Sequence, residues 1–132
     1  KFIIICADIE SQIIDLKSDE RESYMQNIGL EKTGLNKLIT TGYELLNLNT
    51  FFTSGPEESR AWTVKKNTEA QKAAGTIHTD FEKNFIRAEV VSYIDFEKFG
   101  SFEKAKENGK LRVEGKNYVV KDGDVLFFRV NP

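Results

Sequence analysis

The sequence predicts an α+β protein, with a mainly helical part at residues 1–47 and a small mixed β-sheet crossed by one main helix at residues 48–132. In the first part, apolar residues recur at helical spacing. In the second part, short runs rich in aromatic and β-branched residues alternate with turn-forming residues, which is typical of short strands. The composition, 39% hydrophobic and 30% charged, is that of a globular protein able to bury a core.

The first part opens with an apolar, β-branched run, Phe2–Ala7, which predicts a strand covered on both faces, as in parallel sheets. The first part contains no other predicted strand with which this one could pair. We therefore expect the neighbouring strands of its sheet to lie in sequence outside the chain. Residues 8–16 are predicted to form a helix. A second helix is predicted to begin with Asp19 as its N-cap residue, and Glu22 is predicted to complete a capping box with it. This helix is predicted to end at Gly29 in the left-handed backbone conformation.

A third helix is predicted from about Leu35 to Leu46. The spacing of its small and apolar residues predicts a buried side made of Leu35, Leu38, Ile39, Gly42 and Leu46.

The second part begins with two predicted strands, LNTFFTS and RAWTV, joined as a hairpin by the turn GPEE. NTEAQKAAG is predicted to be a helix closed by Gly75, followed by a helical turn at residues 81–85. IRAEVVSYI is predicted to be a strand, and FEKAKEN a short helix closed by Gly109. Three strands, KLRVEG, NYVV and VLFFRV, complete the sheet. This order of elements favours a β-grasp (ubiquitin-like) fold.

Charge and composition exclude several classes of function. The net charge of −2 gives no overall attraction to nucleic acid or membrane, so a basic surface would require local clustering. No apolar run is long enough to span a bilayer. A single cysteine, Cys6, and the absence of an N-x-S/T sequon favour a reducing, cytoplasmic location.

The one histidine of the sequence, His78, precedes Asp80 and Glu82 at alternate positions. On a strand, these three side chains would point the same way and could ligate one metal ion. However, TDFEKNF is predicted to be helical from a Thr79 cap, which separates the three side chains and places both acids where they suit the helix dipole. We therefore predict no metal site and a structural or surface role for His78, with metal binding or catalysis as the alternatives.

Nucleophilic catalysis and phosphate binding have little support. Cys6, at the end of an apolar strand, is predicted to be buried and inert, and nothing in the sequence supports a dyad with His78. The chain contains neither GxxxxGK(S/T) nor GxGxxG. We therefore predict no catalytic residue and no cofactor within it.

Basic residues around an aromatic side chain form the strongest binding pattern. Several flank Trp62, and others on the same sheet are predicted to join them in contacting RNA or a ribosomal surface. The RNA- or partner-binding candidates are Arg60, Lys65, Lys66, Lys72, His78, Arg87, Lys110 and Arg112. The alternative is a solvated sheet face with Trp62 in the core.

The runs RAWTVKKNTEAQKAAGTIHTDFEKNFIRAEVVSY and GKNYVVKDGDVLFFRVN resemble the C-terminal TGS domain of the YchF-type, Obg-like ATPases. The segments TFFTSGPEESRAWT, GLEKTGLNKLITTGYELLNL and IICADIESQI resemble the same family. The resemblance therefore covers essentially the whole chain.

The resemblance implies a P-loop nucleotide hydrolase with a G domain, an inserted coiled-coil arm and a TGS domain of β-grasp fold. Residues 1–47 would be the end of the G domain, including its last strand, and residues 48–132 the TGS domain. A Ser-Ala pair lies beside the nucleotide base in this family. Cys6 and Ala7 stand in its place, where a backbone contact could survive. ATP or GTP with Mg²⁺ would belong to the full-length protein, because the phosphate loop would precede Lys1.

The resemblance also implies a regulatory module that faces RNA or the ribosome and, in the full-length protein, its own G domain. On this hypothesis the chain is not itself an enzyme, its parent is an ATPase or GTPase, and no membrane is involved. Two alternatives belong to other classes: a ubiquitin-like protein-interaction adaptor without a nucleic-acid role, and a small metal- or His-dependent enzyme.

Overall fold

A computed structural model of the protein describes residues 2–131 and contains helices and one five-stranded sheet. The predicted α+β class is therefore confirmed. The chain divides between Leu46 and Asn47 into two compact units. None of the helices within residues 2–131 is long and apolar enough to cross a membrane.

The first unit contains three helices, α1 (Ala7–Asp15), α2 (Ser18–Asn27) and α3 (Gly34–Leu45). The Arg21 side chain donates from Nε to the carbonyl of Ile13 at 3.1 Å, which satisfies an acceptor at the end of α1. Glu10 accepts a 2.6 Å hydrogen bond from the Gly34 N–H. A Cβ at Gly34 would lie 2.7 Å from Cγ2 of Ile5, so any larger residue at the start of α3 would force that side chain to move.

Two predictions for this unit are wrong. Residues 2–6 form no strand, Phe2 is 88% exposed, and Cys6 is exposed rather than buried. A strand is stabilised by hydrogen bonds to a neighbouring strand, and none of the described strands pairs with this segment. The predicted buried side of the third helix is largely exposed, at Leu35, Leu38, Ile39 and Leu46. Periodicity identifies an apolar side but not what covers it.

For α2, the predicted start is wrong and the predicted end is confirmed. The helix begins after a Lys17 cap rather than at Asp19, and the Glu20 carboxylate accepts from the Lys17 N–H at 3.4 Å. The predicted end is confirmed, since Gly29 has φ of 70° and the Leu30 N–H bonds the carbonyl five residues back at 2.9 Å.

The second unit is a sheet with helices on both faces. Its strands are β1 (Leu48–Ser54), β2 (Ser59–Lys65), β3 (Phe85–Ser92), β4 (Arg112–Glu114) and β5 (Asp124–Val130). Its helices are α4 (Ala70–Ile77), α5 (Thr79–Lys83), α6 (Tyr93–Phe99) and α7 (Phe102–Glu107). The strand order is β2-β1-β5-β3-β4, with β1 and β5 parallel and the other neighbours antiparallel. The predicted hairpin, now β1 and β2, is confirmed.

The core of the second unit lies between α4 and one face of the sheet. Three alanines of α4, Ala70, Ala73 and Ala74, are fully buried, and their spacing places them on one side of the helix. Because their side chains are small, the helix can approach the sheet closely. Phe51 at the centre of β1 is fully buried and meets Phe128 of β5 edge-to-face, with ring centroids 6.0 Å apart.

The two glycines of the second unit that were predicted to close helices, Gly75 and Gly109, have different roles. Gly75 lies inside α4, which continues to Ile77, so the predicted closure there is wrong. A Cβ at Gly75 would lie 3.1 Å from Cβ of Glu82 and would overlap the Glu82 carboxylate, so glycine allows α5 to pack closely. Gly109 closes α7 as predicted, with φ of 68°.

Two predicted strand segments have another structure. Residues 93–94 begin α6, because the Ser92 hydroxyl accepts from the Asp95 N–H at 3.2 Å and caps a helix there. Residues 117–120 form no strand of the described sheet, and Val119 makes an isolated bridge with Glu69. Their main-chain groups bond instead to the segment that leads into α4, as in the 2.7 Å hydrogen bond from the Ala70 N–H to the Tyr118 carbonyl.

Candidate partner-binding surfaces

The basic residues predicted to bind RNA or a partner lie on both faces and both edges of the sheet. β2, with Arg60 and Lys65, and β4, with Arg112, are its opposite edges. Because side chains alternate along a strand, Arg60 shares the α4 face and Lys65 points to the other. Arg112 pairs with the core residue Val90 and so shares the α4 face, whereas Arg87 does not. The structure does not bring them together, and their binding role stays a prediction.

Arg60 lies over the ring of Trp62, the aromatic residue at the centre of the predicted basic pattern. Its guanidinium carbon lies 4.2 Å from the ring centroid of Trp62. The Trp62 ring also stacks with that of Phe51 at 6.5 Å, and its N–H donates to the Thr53 hydroxyl at 2.9 Å. Trp62 therefore belongs to the margin of the core, and the Arg60 guanidinium is the group that a partner would meet first.

Three predicted lysines lie outside the strands. Lys66 follows β2, Lys72 is on α4 and Lys110 precedes β4, and all three are exposed. α4 contacts β2. Lys66 and Lys72 are therefore carried by elements adjacent to the strand that bears Arg60, whereas Lys110 is at the other edge of the sheet.

Arg112 is held in a polar network at the edge of the core. Its Nη2 donates to the Tyr118 hydroxyl at 3.2 Å and lies 3.6 Å from Oδ1 of Asp124, and its Nη1 lies 3.3 Å from the Glu114 carboxylate. Asp124, only 4% exposed, also accepts from the Tyr118 hydroxyl at 2.8 Å and from the Lys121 N–H at 2.9 Å. These contacts give Arg112 a structural role beside its predicted binding role.

Tyr118 should make the stability of this network sensitive to alkaline pH. Partial burial, followed by the hydrogen bond to Asp124, raises the pKa of Tyr118 above its ordinary value of 10.0. As the pH rises, the unfolded chain loses the phenolic proton first, so the stability contributed by the protonated hydroxyl is complete below pH 10 and is lost above it.

Urea unfolding at about pH 8 and about pH 11 measures this effect. The Tyr118→Phe variant should be less stable than wild type at the lower pH, because the hydrogen bonds are lost. Between the lower and the higher pH, the variant should lose less stability than wild type loses. An equal additional loss in the two proteins would contradict the assignment.

His78 joins α4 to α5. It is the C-cap residue of α4, and its Nδ1 accepts from the Asp80 N–H at 3.2 Å at the start of α5, so the cap of α5 is His78 rather than the predicted Thr79. Asp80 and Glu82 lie in the first turn of α5, as predicted. Within residues 2–131, no three His, Cys, Asp or Glu side chains are grouped so that they could hold a metal ion.

Cys6 and Ala7, the predicted base-binding pair, lie at the start of α1. Cys6 is the N-cap residue, its carbonyl accepts from the Glu10 N–H at 3.0 Å, and its exposed thiol makes no capping hydrogen bond. Ala7 is the first residue of the helix. A base-binding role for this pair stays a prediction.

A further cluster, formed by Arg87, Glu89, Phe127 and Arg129, lies on the sheet face opposite α4, and Arg87 is its one member among the predicted binding residues. Arg129 makes a two-pronged contact with Glu89, from Nε at 3.0 Å and from Nη2 at 3.3 Å, and its guanidinium lies 4.3 Å from the ring centroid of Phe127. Nη2 of Arg87 lies 3.8 Å from the same carboxylate. The alternation of side-chain directions along FIRAEVVS and VLFFRV is the sequence signal that could have indicated which residues share a face. The register that pairs Arg87 with Arg129, however, cannot be read from either strand alone.

Two shallow grooves lie beside this cluster, with volumes of about 500 and about 390 Å³. Both are lined by Glu89, Phe102, Glu103 and Arg129, so the grooves adjoin. The larger one extends to the turn at Gly55, and the smaller one extends along α7 to Val113 of β4.

Comparisons with known proteins place the chain in a family. The family model YchF-GTPase_C, described as a protein of unknown function (DUF933), matches residues 48–131. The chain is 55% identical over 127 residues to "Ribosome-binding ATPase YchF" of Haemophilus influenzae, covering 96% of this chain and 35% of that protein. It is 50% identical over 129 residues to the protein of the same name from Bacillus subtilis, covering 98% of this chain and 35% of that protein.

A solved structure supports the same relationship. The YchF GTPase of Schizosaccharomyces pombe matches with a TM-score of 0.77 and 35% sequence identity, covering 95% of this chain and 33% of that one. The chain thus spans about a third of the length of these relatives. Since the family model alone matches more than half of the chain, the protein belongs to the YchF C-terminal family.

Proposed function

We propose that this chain is the C-terminal part of a YchF-type nucleotide hydrolase and serves as its ribosome- or RNA-binding module. Residues 1–47 would be the end of the nucleotide-binding domain, and residues 48–132 a TGS domain. The observation that carries the proposal is the identity of 50% or more, across nearly the whole chain, to bacterial proteins named ribosome-binding ATPases.

The second unit has features that favour a β-grasp fold for the TGS domain. A parallel pair, β1 and β5, occupies the middle of the sheet, antiparallel strands lie on each side of it, and α4 crosses one face. A β1–β2 hairpin followed by a crossing helix is the start of that arrangement, and α4 supplies the helix.

Nucleotide hydrolysis is assigned to the full-length protein rather than to this chain. The sequence contains neither of the two common phosphate-binding motifs, GxxxxGK(S/T) and GxGxxG. In the full-length protein, the backbone at Cys6 and Ala7 would lie beside the base of bound ATP or GTP. This location would let the chain sense whether nucleotide is bound and adjust partner binding accordingly.

The region around β2 and α4 is the best candidate for the contact with ribosomal RNA. Arg60, Lys66 and Lys72 are exposed cations on adjacent elements, and the Arg60 guanidinium presents a planar face on which a base could stack. Contacts of this kind depend on salt because they release counterions from phosphates.

Ribosome co-sedimentation across a series of salt concentrations tests the proposal. The chain should pellet with ribosomes at low salt, and the double variant Lys66→Glu, Lys72→Glu should bind more weakly, with a log–log salt slope smaller by about 1–2. The matched control is Lys32→Glu, Lys37→Glu, which makes the same charge change at exposed positions of the first unit.

The control variant should bind as wild type does. Equal loss in both double variants would indicate an effect of net charge alone, and no ribosome binding at low salt would refute the proposed module. In that case the ubiquitin-like adaptor would become the leading hypothesis.

A further inference from the structure

A second binding site is indicated by the cluster of Arg87, Glu89, Phe127 and Arg129 together with the two grooves beside it. This cluster and its two grooves are here called the opposite-face groove. The site lies on the sheet face away from α4, so it is separate from the basic region proposed for RNA. It has two guanidinium groups, an aromatic floor and a wall formed by α7.

The arginines of the groove are arranged to receive one more carboxylate. Glu89, whose side chain is 14% exposed, is shared by Arg87 and Arg129, whose side chains are each 50% exposed. One carboxylate between two guanidiniums leaves one positive charge in excess. Among the described residues, Arg129 contacts Glu89 through Nε and Nη2, so its Nη1 remains available to another acceptor.

Arg129 is also held in place before any ligand arrives. Its guanidinium lies over the Phe127 ring at 4.3 Å while it bonds Glu89. A side chain that is already ordered loses less conformational entropy on binding than a free one does. The planar, two-pronged geometry of arginine also matches a carboxylate better than a lysine would.

Apolar groups accompany these charges. Phe127 is 37% exposed and packs edge-to-face with Phe102 of α7, at 6.0 Å between ring centroids. Val113 of β4, on the same side of the sheet, is 61% exposed, and Leu111 lines the same groove. A ligand would therefore contact apolar surface on either side of the arginines.

The charge balance of the groove favours a protein segment over RNA. Its lining carries three basic side chains, Arg87, Arg129 and Lys106, but also the carboxylates of Glu89 and Glu103. Grooves that follow a single-stranded nucleic acid are positively charged along the backbone path. Carboxylates in the lining would repel successive phosphates, whereas one acidic side chain flanked by apolar residues complements the groove.

We propose that the opposite-face groove binds an extended segment of a partner protein in which one aspartate or glutamate has apolar residues two positions away on each side, so that all three side chains face the groove. The acidic side chain lies against Arg87 and Arg129, and its apolar neighbours contact Phe127, Phe102 and Val113. This site is independent of the RNA contact proposed above, so either can fail without the other.

Fluorescence polarisation with the full chain tests the proposal with three labelled probes. One is a short peptide with a central glutamate and a leucine two positions away on each side, the second has lysine in place of that glutamate, and the third is single-stranded oligouridine. The glutamate peptide should bind at least about tenfold more tightly than the lysine peptide and the oligouridine, a factor that corresponds to about 1.4 kcal/mol.

Two variants test whether the peptide binds in the opposite-face groove, and a third variant is the matched control. Val113→Glu places a charge on the apolar part of the groove, and Arg87→Ala removes the excess positive charge, so each should weaken glutamate-peptide binding by about tenfold. Ile94→Glu also replaces an exposed, β-branched apolar residue by glutamate, at a site of α6 that lines neither groove, and this variant should bind as wild type does. Urea midpoints equal to wild type show that the variants are folded.

Three results would each overturn the proposal: equal binding of the glutamate and lysine peptides, tighter binding of oligouridine that Arg87→Ala abolishes, or equal weakening by Ile94→Glu. Sedimentation equilibrium provides a further check. Concentration-dependent dimerisation of wild type that Val113→Glu abolishes would identify the groove as a contact between copies of this chain, and would also overturn the proposal.

Discussion

Replacing Phe51 by alanine is expected to destabilise the second unit by about 3–5 kcal/mol, the range for a fully buried phenylalanine. Phe51 is 0% exposed at the centre of β1 and contacts the rings of Trp62 and Phe128. β1 lies between β2 and β5, so a cavity at Phe51 removes packing from both sides of the strand. Because small domains are stable by only about 5–15 kcal/mol, the loss is a large fraction of the total.

Urea unfolding followed by circular dichroism and by Trp62 fluorescence measures this effect. The matched control is Phe127→Ala, which removes the same side chain from a position that is 37% exposed and should cost about 1 kcal/mol. If both variants lost the same stability, Phe51 would not be at the centre of the core.

Replacing Asp124 by alanine is expected to cost about 3 kcal/mol, because one buried carboxylate satisfies several donors. Asp124 accepts from the Tyr118 hydroxyl and the Lys121 N–H, and it is an ion-pair partner of Arg112. Its removal would leave those donors without their acceptor at the start of the central strand β5. Asp124→Asn, which keeps the size but not the charge, should lie between wild type and alanine.

Glu114→Ala is the control for this prediction. Glu114 is also an ion-pair partner of Arg112, at 3.3 Å, but its side chain is more exposed than that of Asp124. Exposed ion pairs contribute about 0–1 kcal/mol, so this variant should unfold close to wild type in urea. A loss as large as that of Asp124→Ala would mean that the ion pairs, rather than the buried hydrogen bonds, stabilise the network.

The features predicted correctly from the sequence depend on local chemistry. Gly29 and Gly109 close their helices because only a residue tolerant of positive φ fits there. The first two strands form a hairpin because GPEE supplies a turn between two runs of high β propensity. In each case the residues that determine the structure are neighbours in the chain.

The features predicted wrongly depend on residues distant in sequence. Phe2–Ala7 has the composition of a strand, but a strand also needs a partner, and the described sheet provides none for it. Gly75 has the residue type of a helix end, but it lies inside α4, where its lack of a side chain allows close contact with Glu82 on the next helix. The pairing of β3 with β5 brings Arg87, Glu89 and Arg129 together, and that register is a property of the sheet rather than of either strand.

The position of β5 has a consequence for how the second unit folds. β5 is the last strand of the described chain but lies in the middle of the sheet, next to β1, the first strand of that unit. The hydrogen bond from the Thr50 N–H to Asp122 joins residues 72 positions apart. Contacts of such high sequence separation close large loops and slow folding. During synthesis, the β1–β2 hairpin would leave the ribosome with Phe51 still uncovered, and the unit could complete its core only after β5 had emerged.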